Sequence, residues 1–355
     1  MMVLDQITYL NRNESQYDLS PRCKSIIDNL TPQLLTHYPQ ANPLYTPEML
    51  LDKLSTFLDL PAHNLLLGNG SEDLLKTCIH KYLQRNEYLL TPECSWWYYD
   101  ELVTEIKGHV CHFKTTEHDN YFSLDLDSFR EAYRQYNPTV VLLASPNNPT
   151  GHSIDAEVLE EILTLCKNSV VIVDEAYWGF NSTSSYNYKD LMERHPNVLF
   201  IRSFSKFFGL AGVRMGYAIS SDYFYELKNY MKRYLGYSSF GVALCIAALE
   251  DIDYFDAINQ LFIKEKLDFY ELFNSTSPIK AFQSDTNFIL LRHAPDLYEP
   301  IKKTFDDGGY LLSYLRSGLL KDCVRITLGR PEQNREVIKL MLSVLHNYQL
   351  DGIRK

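Results

Sequence analysis

Two short stretches, TVVLLA (Thr139–Ala144) and SVVIV (Ser169–Val173), restrict what this chain can fold into more than any other feature. Both are apolar at every interior position. A half-exposed strand alternates polar and apolar residues, so an unbroken run of this length, rich in β-branched residues, predicts a strand covered on both faces, as in a parallel sheet. Five more apolar runs, Asn64–Leu67, Tyr88–Leu90, His109–Phe113, Val198–Arg202 and Val213–Ile219, alternate with helix-like segments. The pattern predicts an α/β fold: a mostly parallel seven-stranded sheet with helices on both faces. Beyond Ile219 a helical stretch runs from about Tyr223 to Phe273, followed by strand-like FILL, YLLS and VRITL and a helix from about Glu332 to Leu345. Strands and helices are segregated there, which predicts a smaller α+β domain. The expected division is a large domain over 30–245 and a small one built from 1–29 and 246–355, because the first 29 residues are too few to fold alone.

Composition narrows the function classes. The chain has 355 residues, 45% of them hydrophobic, and a formal charge of −11 with no Lys/Arg-rich block, so nucleic acid is not an expected partner. Seven scattered cysteines without a CxxC pair indicate a reduced, cytoplasmic setting and no metal site. The opening MMVLDQITYLNRNES lacks the apolar core of a signal peptide, and no run of ~18 apolar residues occurs, so a soluble protein without a membrane partner is expected.

Ligands of open parallel sheets collect at the carboxyl ends of the strands, and four such ends are unusual. In LLLGNGSED the chain passes through Gly68 and Gly70 into a helix starting near Ser71, where free N–H groups suit a phosphate, although a capped turn has the same composition. SPNNPTG ends a buried strand with Asn147 and Asn148, either of which could cap a helix; Pro149 holds Asn148 extended, with an amide able to donate to an oxygen. VVIVDEAYWGF sets Asp174 and Glu175 directly after the strand, with Tyr177 close behind; an acid there is either an ion-pair partner or a working group. SFSKFFGLAGVRMGY brings Ser203, Ser205, Lys206 and Arg214 into one connection. Phenylalanines flank Lys206, which favours the free amine that attacks a carbonyl, whereas a lone lysine is ordinarily a solvated surface group. Together these ends supply an amine, a carboxylate, amide and hydroxyl donors and a phosphate cup.

With LNRNES (Leu10–Ser15), HYP (His37–Pro39) and RITLGRPEQN (Arg325–Asn334) added in order, the chain resembles the class I/II, fold-type I aminotransferases that use pyridoxal 5'-phosphate, and among them the histidinol-phosphate aminotransferase branch. The resemblance implies that Lys206 forms the Schiff base to the cofactor and moves the substrate α-proton, acting as anchor and general base. It implies that Asp174 pairs with the ring nitrogen and that Asn148 and Tyr177 contact the ring oxygen. The phosphate would lie on Gly70, Ser71 and Glu72 with Ser203, Ser205 and Arg214. Tyr38 would reach it from the other subunit of a homodimer, and Trp97, with Tyr98 as a rival, would stack on the ring. Arg325 would bind the substrate. The small-molecule partners would be an amino donor and a 2-oxo acid acceptor, reacting by a ping-pong route.

The chain departs from the branch at one place. Where the histidinol-phosphate enzymes carry an additional arginine upstream of RIT, an ungapped alignment puts Ser313, with Arg316 three residues later. A serine cannot reproduce a bidentate guanidinium contact. Arg316 is the candidate replacement, and Tyr17 and the WWYY tract are candidate walls of an aromatic substrate pocket. A decarboxylase of the threonine-phosphate type shares nearly the same motifs and stays open as an alternative. A non-catalytic relative normally loses the lysine or the aspartate, and both are present. A dinucleotide-binding reading of GNG lacks the GxGxxG spacing.

Overall fold

All seven apolar runs enter one sheet. In the computed structural model, which describes residues 7–39, 45–180, 186–275 and 278–353, these strands are β1 (Leu65–Gly68), β2 (Tyr88–Pro92), β3 (His109–Phe113), β4 (Val140–Ala144), β5 (Val170–Asp174), β6 (Val198–Ser203) and β7 (Gly216–Ser220). They lie in the order β1-β7-β6-β5-β4-β2-β3. Only β7 is antiparallel to its neighbours. Alternate residues of each strand feed separate cores: Val141, Leu143, Val171, Val173 and Phe200 face one, while Leu142, Ile172, Leu199 and Ile201 face the other with helices Ser71–Tyr82 and Tyr98–Glu105. Burial on both faces is why these runs contain no polar alternation.

The run Val213–Ile219 is only partly strand. Ala211–Val213 forms a 3-10 turn and Arg214 is left-handed at φ 56°, so β7 begins at Gly216. The expected helical stretch from Tyr223 to Phe273 is likewise divided, into Tyr225–Tyr230, Ser239–Glu250 and Ile252–Asn274. Gly236 at φ 73° turns the chain in the first gap, and the Ser238 side chain caps the next helix by accepting from the Gly241 N–H.

A second, antiparallel sheet has strands β8 (Ile279–Phe282), β9 (Phe288–His293), β10 (Ser313–Leu315) and β11 (Cys323–Thr327), ordered β8-β9-β11-β10. Helices Ile252–Asn274 and Pro331–Ile353 pack against each other beside it. The N-terminal segment is tied to this region, since Thr8–Tyr9 pairs in parallel with Tyr310–Leu311 and Leu10 accepts from the Thr327 N–H. Among the described residues no helix is long and apolar enough to cross a membrane. All seven cysteines are buried and free of disulfides.

Candidate active site

Sheet register brings the four unusual strand ends together. Ala144 stands opposite Asp174 across β4 and β5, while Gly216 of β7 faces Gly68 of β1 on one side and Ser203 of β6 on the other. A cleft of about 860 Å³ opens over this edge, between it, the N-terminal segment and the strand β10 with its following loop; Ser71, Asn148, Asp174, Tyr177, Lys206 and Arg325 line it.

Asp174 and Glu175 are adjacent and point opposite ways, as strand geometry requires. Asp174 enters the cleft floor, accepting from Tyr99 Oη at 2.7 Å and from the Ala176 N–H at 2.9 Å. Burial pushes its pKa up to about 6, against the lowering effect of these two donors. Glu175 instead accepts from Arg202 at 2.8 Å and from Tyr188 Oη at 2.9 Å. The Arg202 guanidinium lies 4.1 Å from the Trp178 ring centroid and 4.9 Å from that of Tyr188. Glu175 is therefore a buried ion-pair partner.

The Lys206 amine lies in the cleft and donates to the Arg12 carbonyl at 2.9 Å. Burial lowers its pKa to about 8, assisted by the positive Arg325 and Arg214 and opposed by Glu14. About a tenth of the amine is therefore unprotonated at pH 7, far more than for a lysine at its ordinary 10.5, and this is the nucleophilic form.

The glycine-rich corner is built around Arg214. A Cβ on Gly70, which has φ 85°, would meet Arg214 Nη2 at 2.8 Å, and one on Gly216 would meet Gly70 C at 2.7 Å and the Ser71 nitrogen at 2.8 Å. Only glycine permits so close an approach of β7, the helix start and the guanidinium. Arg214 also donates to Ser205 Oγ at 3.4 Å and stands 3.7 Å from Glu72. Ser203 Oγ accepts from the Ser205 N–H at 3.0 Å. Helix Ser71–Tyr82 has no side chain bonded at its N-cap, Gly70. A guanidinium, hydroxyls and a helix N-terminus around one corner make an anion cup.

The two amides of SPNNPTG part company. Asn147 is consumed structurally, donating to the Cys94 carbonyl at 2.7 Å and accepting from Ser95 Oγ at 2.9 Å. Asn148 faces the cleft, where its Oδ1 accepts from Arg325 Nη1. Arg325 also donates to the Asn11 carbonyl at 2.6 Å, burial lowers its pKa, and its Nε has no partner among the described residues.

The remaining expected site residues divide. Trp97 is 69% exposed at the cleft mouth, whereas Tyr98 packs against Trp96 and Trp97 and does not line the cleft. Ser313 lines the wall beside Arg325, its partner across β10 and β11, and Arg316 lies at the rim with its guanidinium 4.4 Å from the Tyr298 ring centroid. Tyr17 is not brought into the cleft, because its ring packs edge-on against Phe262 at 5.6 Å. Tyr38 is 65% exposed and lies away from the cleft of its own chain. Sequence reasoning gave Asn11, Arg12 and Asn13 no role beyond their motif and read Tyr99 only as part of the WWYY tract, not as the partner of Asp174. For Tyr99 a signal existed, since Tyr99, Leu102 and Val103 have the i, i+3, i+4 spacing of an inward helix face, and all three are buried.

The family model for aminotransferase class I and II matches residues 6–340. The chain belongs to this family. Among related aminotransferases, histidinol-phosphate aminotransferase 1 of Carboxydothermus hydrogenoformans is 31% identical over 95% of this chain and 92% of its own. The solved histidinol-phosphate aminotransferase of Sinorhizobium meliloti, in complex with pyridoxal 5'-phosphate, shares the fold with a TM-score of 0.85 at 22% identity, covering 97% of this chain and 92% of that one. L-threonine-O-3-phosphate decarboxylase of Porphyromonas gingivalis shares it with a TM-score of 0.78 at 20% identity, over 97% and 99% of the two chains. The aminotransferase fold is thus common to both activities. The chain is a pyridoxal-phosphate-dependent transaminase. Its cleft suits that cofactor on chemical grounds: a partly deprotonated amine for an aldehyde, a buried carboxylate for a ring cation and an anion cup for a phosphate.

Proposed function

We propose that this transaminase works through Lys206, Asp174, Asn148, Tyr177, Arg214 and Arg325, and that its amino donor is an amino acid or related amine bearing an anionic group, with a 2-oxo acid as acceptor. The observation that carries this reading is the Lys206 amine, at a pKa of about 8, in one cleft with the buried Asp174. When bound, pyridoxal phosphate supplies an aldehyde that condenses with amines and a ring that accepts electron density. Lys206 Nζ, when not engaged with the cofactor, would take the proton from the substrate α-carbon and pass it to the cofactor's C4′ carbon, and would run the same transfer in the opposite direction in the half-reaction with the 2-oxo acid. Asp174, steadied by Tyr99 and the Ala176 N–H, is ionised at neutral pH and holds a cation at the ring nitrogen. Asn148 Oδ1 is occupied by Arg325, which leaves its NH₂ free to donate to the ring oxygen beside Tyr177 Oη. Arg214, Ser203, Ser205, Ser71 and the backbone from Gly70 to Glu72 hold the phosphate, and Trp97 covers the ring from the cleft mouth.

Arg325 orients the anionic group of the substrate through the second N–H of Nη1 and of Nη2, the first being taken by Asn148 Oδ1 and the Asn11 carbonyl. The name of the Carboxydothermus relative favours an amine phosphate as donor. Ser313 offers a hydroxyl in place of the additional guanidinium, with Arg316 at the rim. We further propose a cytoplasmic homodimer in which the exposed Tyr38 completes the neighbouring phosphate cup.

The test is a half-reaction screen of the purified holoenzyme against amino acids and amine phosphates, reading the cofactor absorbance. Stoichiometric conversion to pyridoxamine 5'-phosphate by an anionic donor is expected. Release of CO₂ without that conversion would assign a decarboxylase instead.

A further inference from the structure

The LNRNES motif contains a residue that none of these roles uses. Asn13 is 1% exposed and left-handed at φ 55°, a conformation that asparagine tolerates better than most residues. Its backbone N–H donates to Thr327 Oγ1 at 3.0 Å, and Asn13 Oδ1 accepts from the same hydroxyl at 3.1 Å. Since Thr327 accepts the N–H, its own proton is free for Oδ1, and this fixes the amide orientation with the NH₂ group turned the other way. That NH₂ donates to Tyr177 Oη at 2.7 Å. The Asn13 carbonyl accepts from Asn287 Nδ2 at 3.1 Å. Thr327 ends β11, two residues after Arg325, and Asn287 immediately precedes β9. Asn13 thus joins the N-terminal segment and the four-stranded sheet to a tyrosine next to the end of β5.

A phenol has one proton. With the Asn13 NH₂ occupying a lone pair of Tyr177 Oη, the hydroxyl proton is directed elsewhere, and Tyr177 lines the cleft. The charged groups around it are Arg325, Asp174 and Lys206, whose amine is 5.9 Å from the ring centroid.

We propose that Asn13 is a positioning residue: by donating to Tyr177 Oη it turns the Tyr177 proton toward the cofactor's ring oxygen, so that this oxygen receives its donor when the N-terminal segment and the four-stranded sheet are docked. The proposal rests on the reading above that Tyr177 faces that oxygen. A hydrogen bond to the oxygen stabilises its anionic form and lowers the pH midpoint of the holoenzyme's absorbance change.

The experiment is a pH titration of that absorbance in a double-mutant cycle. Asn13→Gly removes the amide at a φ glycine adopts freely. It is expected to raise the midpoint by about half a unit in the parent and by less than about 0.1 unit in a Tyr177→Phe background, where no hydroxyl remains to be turned. Tyr177→Phe alone is expected to raise it by about one unit or more. Asn13→Asp keeps the side-chain shape and the Thr327 contact but accepts from Tyr177, so it should exceed the glycine variant and provides the test if that variant folds poorly. Equal shifts in both backgrounds, no shift in the parent, or a smaller effect for aspartate would overturn the proposal. A Tyr177→Phe midpoint identical to the parent's would instead remove the reading on which it rests.

Discussion

Lys206 is half-buried and Lys266 fully buried, and desolvation lowers the pKa of both to about 8, yet they sit in different surroundings. Lys266, on helix Ile252–Asn274, is 2% exposed and donates to the Ser284 carbonyl at 2.7 Å and the Thr286 carbonyl at 3.1 Å, with Asp285 as the neighbouring charge. Among the described residues Lys206 has a single carbonyl acceptor, and it opens onto the cleft. A depressed pKa therefore does not distinguish them. What distinguishes them is room for a carbonyl carbon beside the nitrogen, and the company of Asp174 and the Arg214 cup. Lys266 ties together the loop between β8 and β9, which also meets the SPNNPTG loop through the Asp285 N–H and the Gly151 carbonyl at 2.7 Å.

The contrast breaks most visibly by removing each amine. Lys206→Ala should lower the transamination rate by about 10⁴-fold, the upper range for a positioned acid–base group, with the apoprotein still folded. Lys266→Met should keep the rate within about tenfold while lowering unfolding stability by roughly 2–4 kcal/mol, because two buried carbonyls lose their donor. Steady-state kinetics and denaturant unfolding read the two effects separately; loss of activity in the folded Lys266 variant would erase the distinction.

The adjacent carboxylates extend the comparison, with a smaller effect on rate. Asp174→Asn should cost about 10²–10³-fold in rate with little change in stability, as a neutral amide no longer holds the ring cation. Glu175→Gln should leave Arg202 buried without its counter-charge and destabilise the fold by about 3–5 kcal/mol. Their ranking in activity and in denaturant midpoint should be opposite.

Within any single pH unit the smallest expected effect lies in pH dependence, at most about 1.4 kcal/mol. A lysine whose pKa falls from 10.5 to about 8 on folding binds its proton less tightly in the native state. Its cost to stability is full below pH 8 and is relieved as the pH rises through 8 toward 10.5. Relative to Lys266→Met, the parent should therefore gain stability over that interval in paired unfolding titrations. A difference independent of pH would mean that Lys266 titrates normally.

Much of this was legible in the sequence because strong local patterns coincide with tertiary demands. TVVLLA and SVVIV could only be central strands, and the motif residues at their ends fall where sheet register gathers them. Residues defined by long-range partners were not legible. Lys266 reads as an ordinary helical lysine until the β8–β9 loop folds around it. Tyr99 belongs to the aromatic WWYY tract, in which composition does not show which ring faces Asp174, and nothing local to Tyr17 shows that its ring faces Phe262. Asn13 carries an evident motif, but its role depends on Thr327 and Asn287, more than 270 residues away. Gly236 marks the helix break at residues 231–238, but the helical pattern of both flanking segments masks it in the sequence.

The central claim is that one of these two lysines, Lys206, carries the cofactor. Reducing the holoenzyme with borohydride makes the cofactor–lysine linkage permanent, and peptide mapping by mass spectrometry locates the added phosphopyridoxyl group. The label is expected on Lys206 alone. A label on Lys266, or on any other lysine with Lys206 unmodified, would contradict that claim.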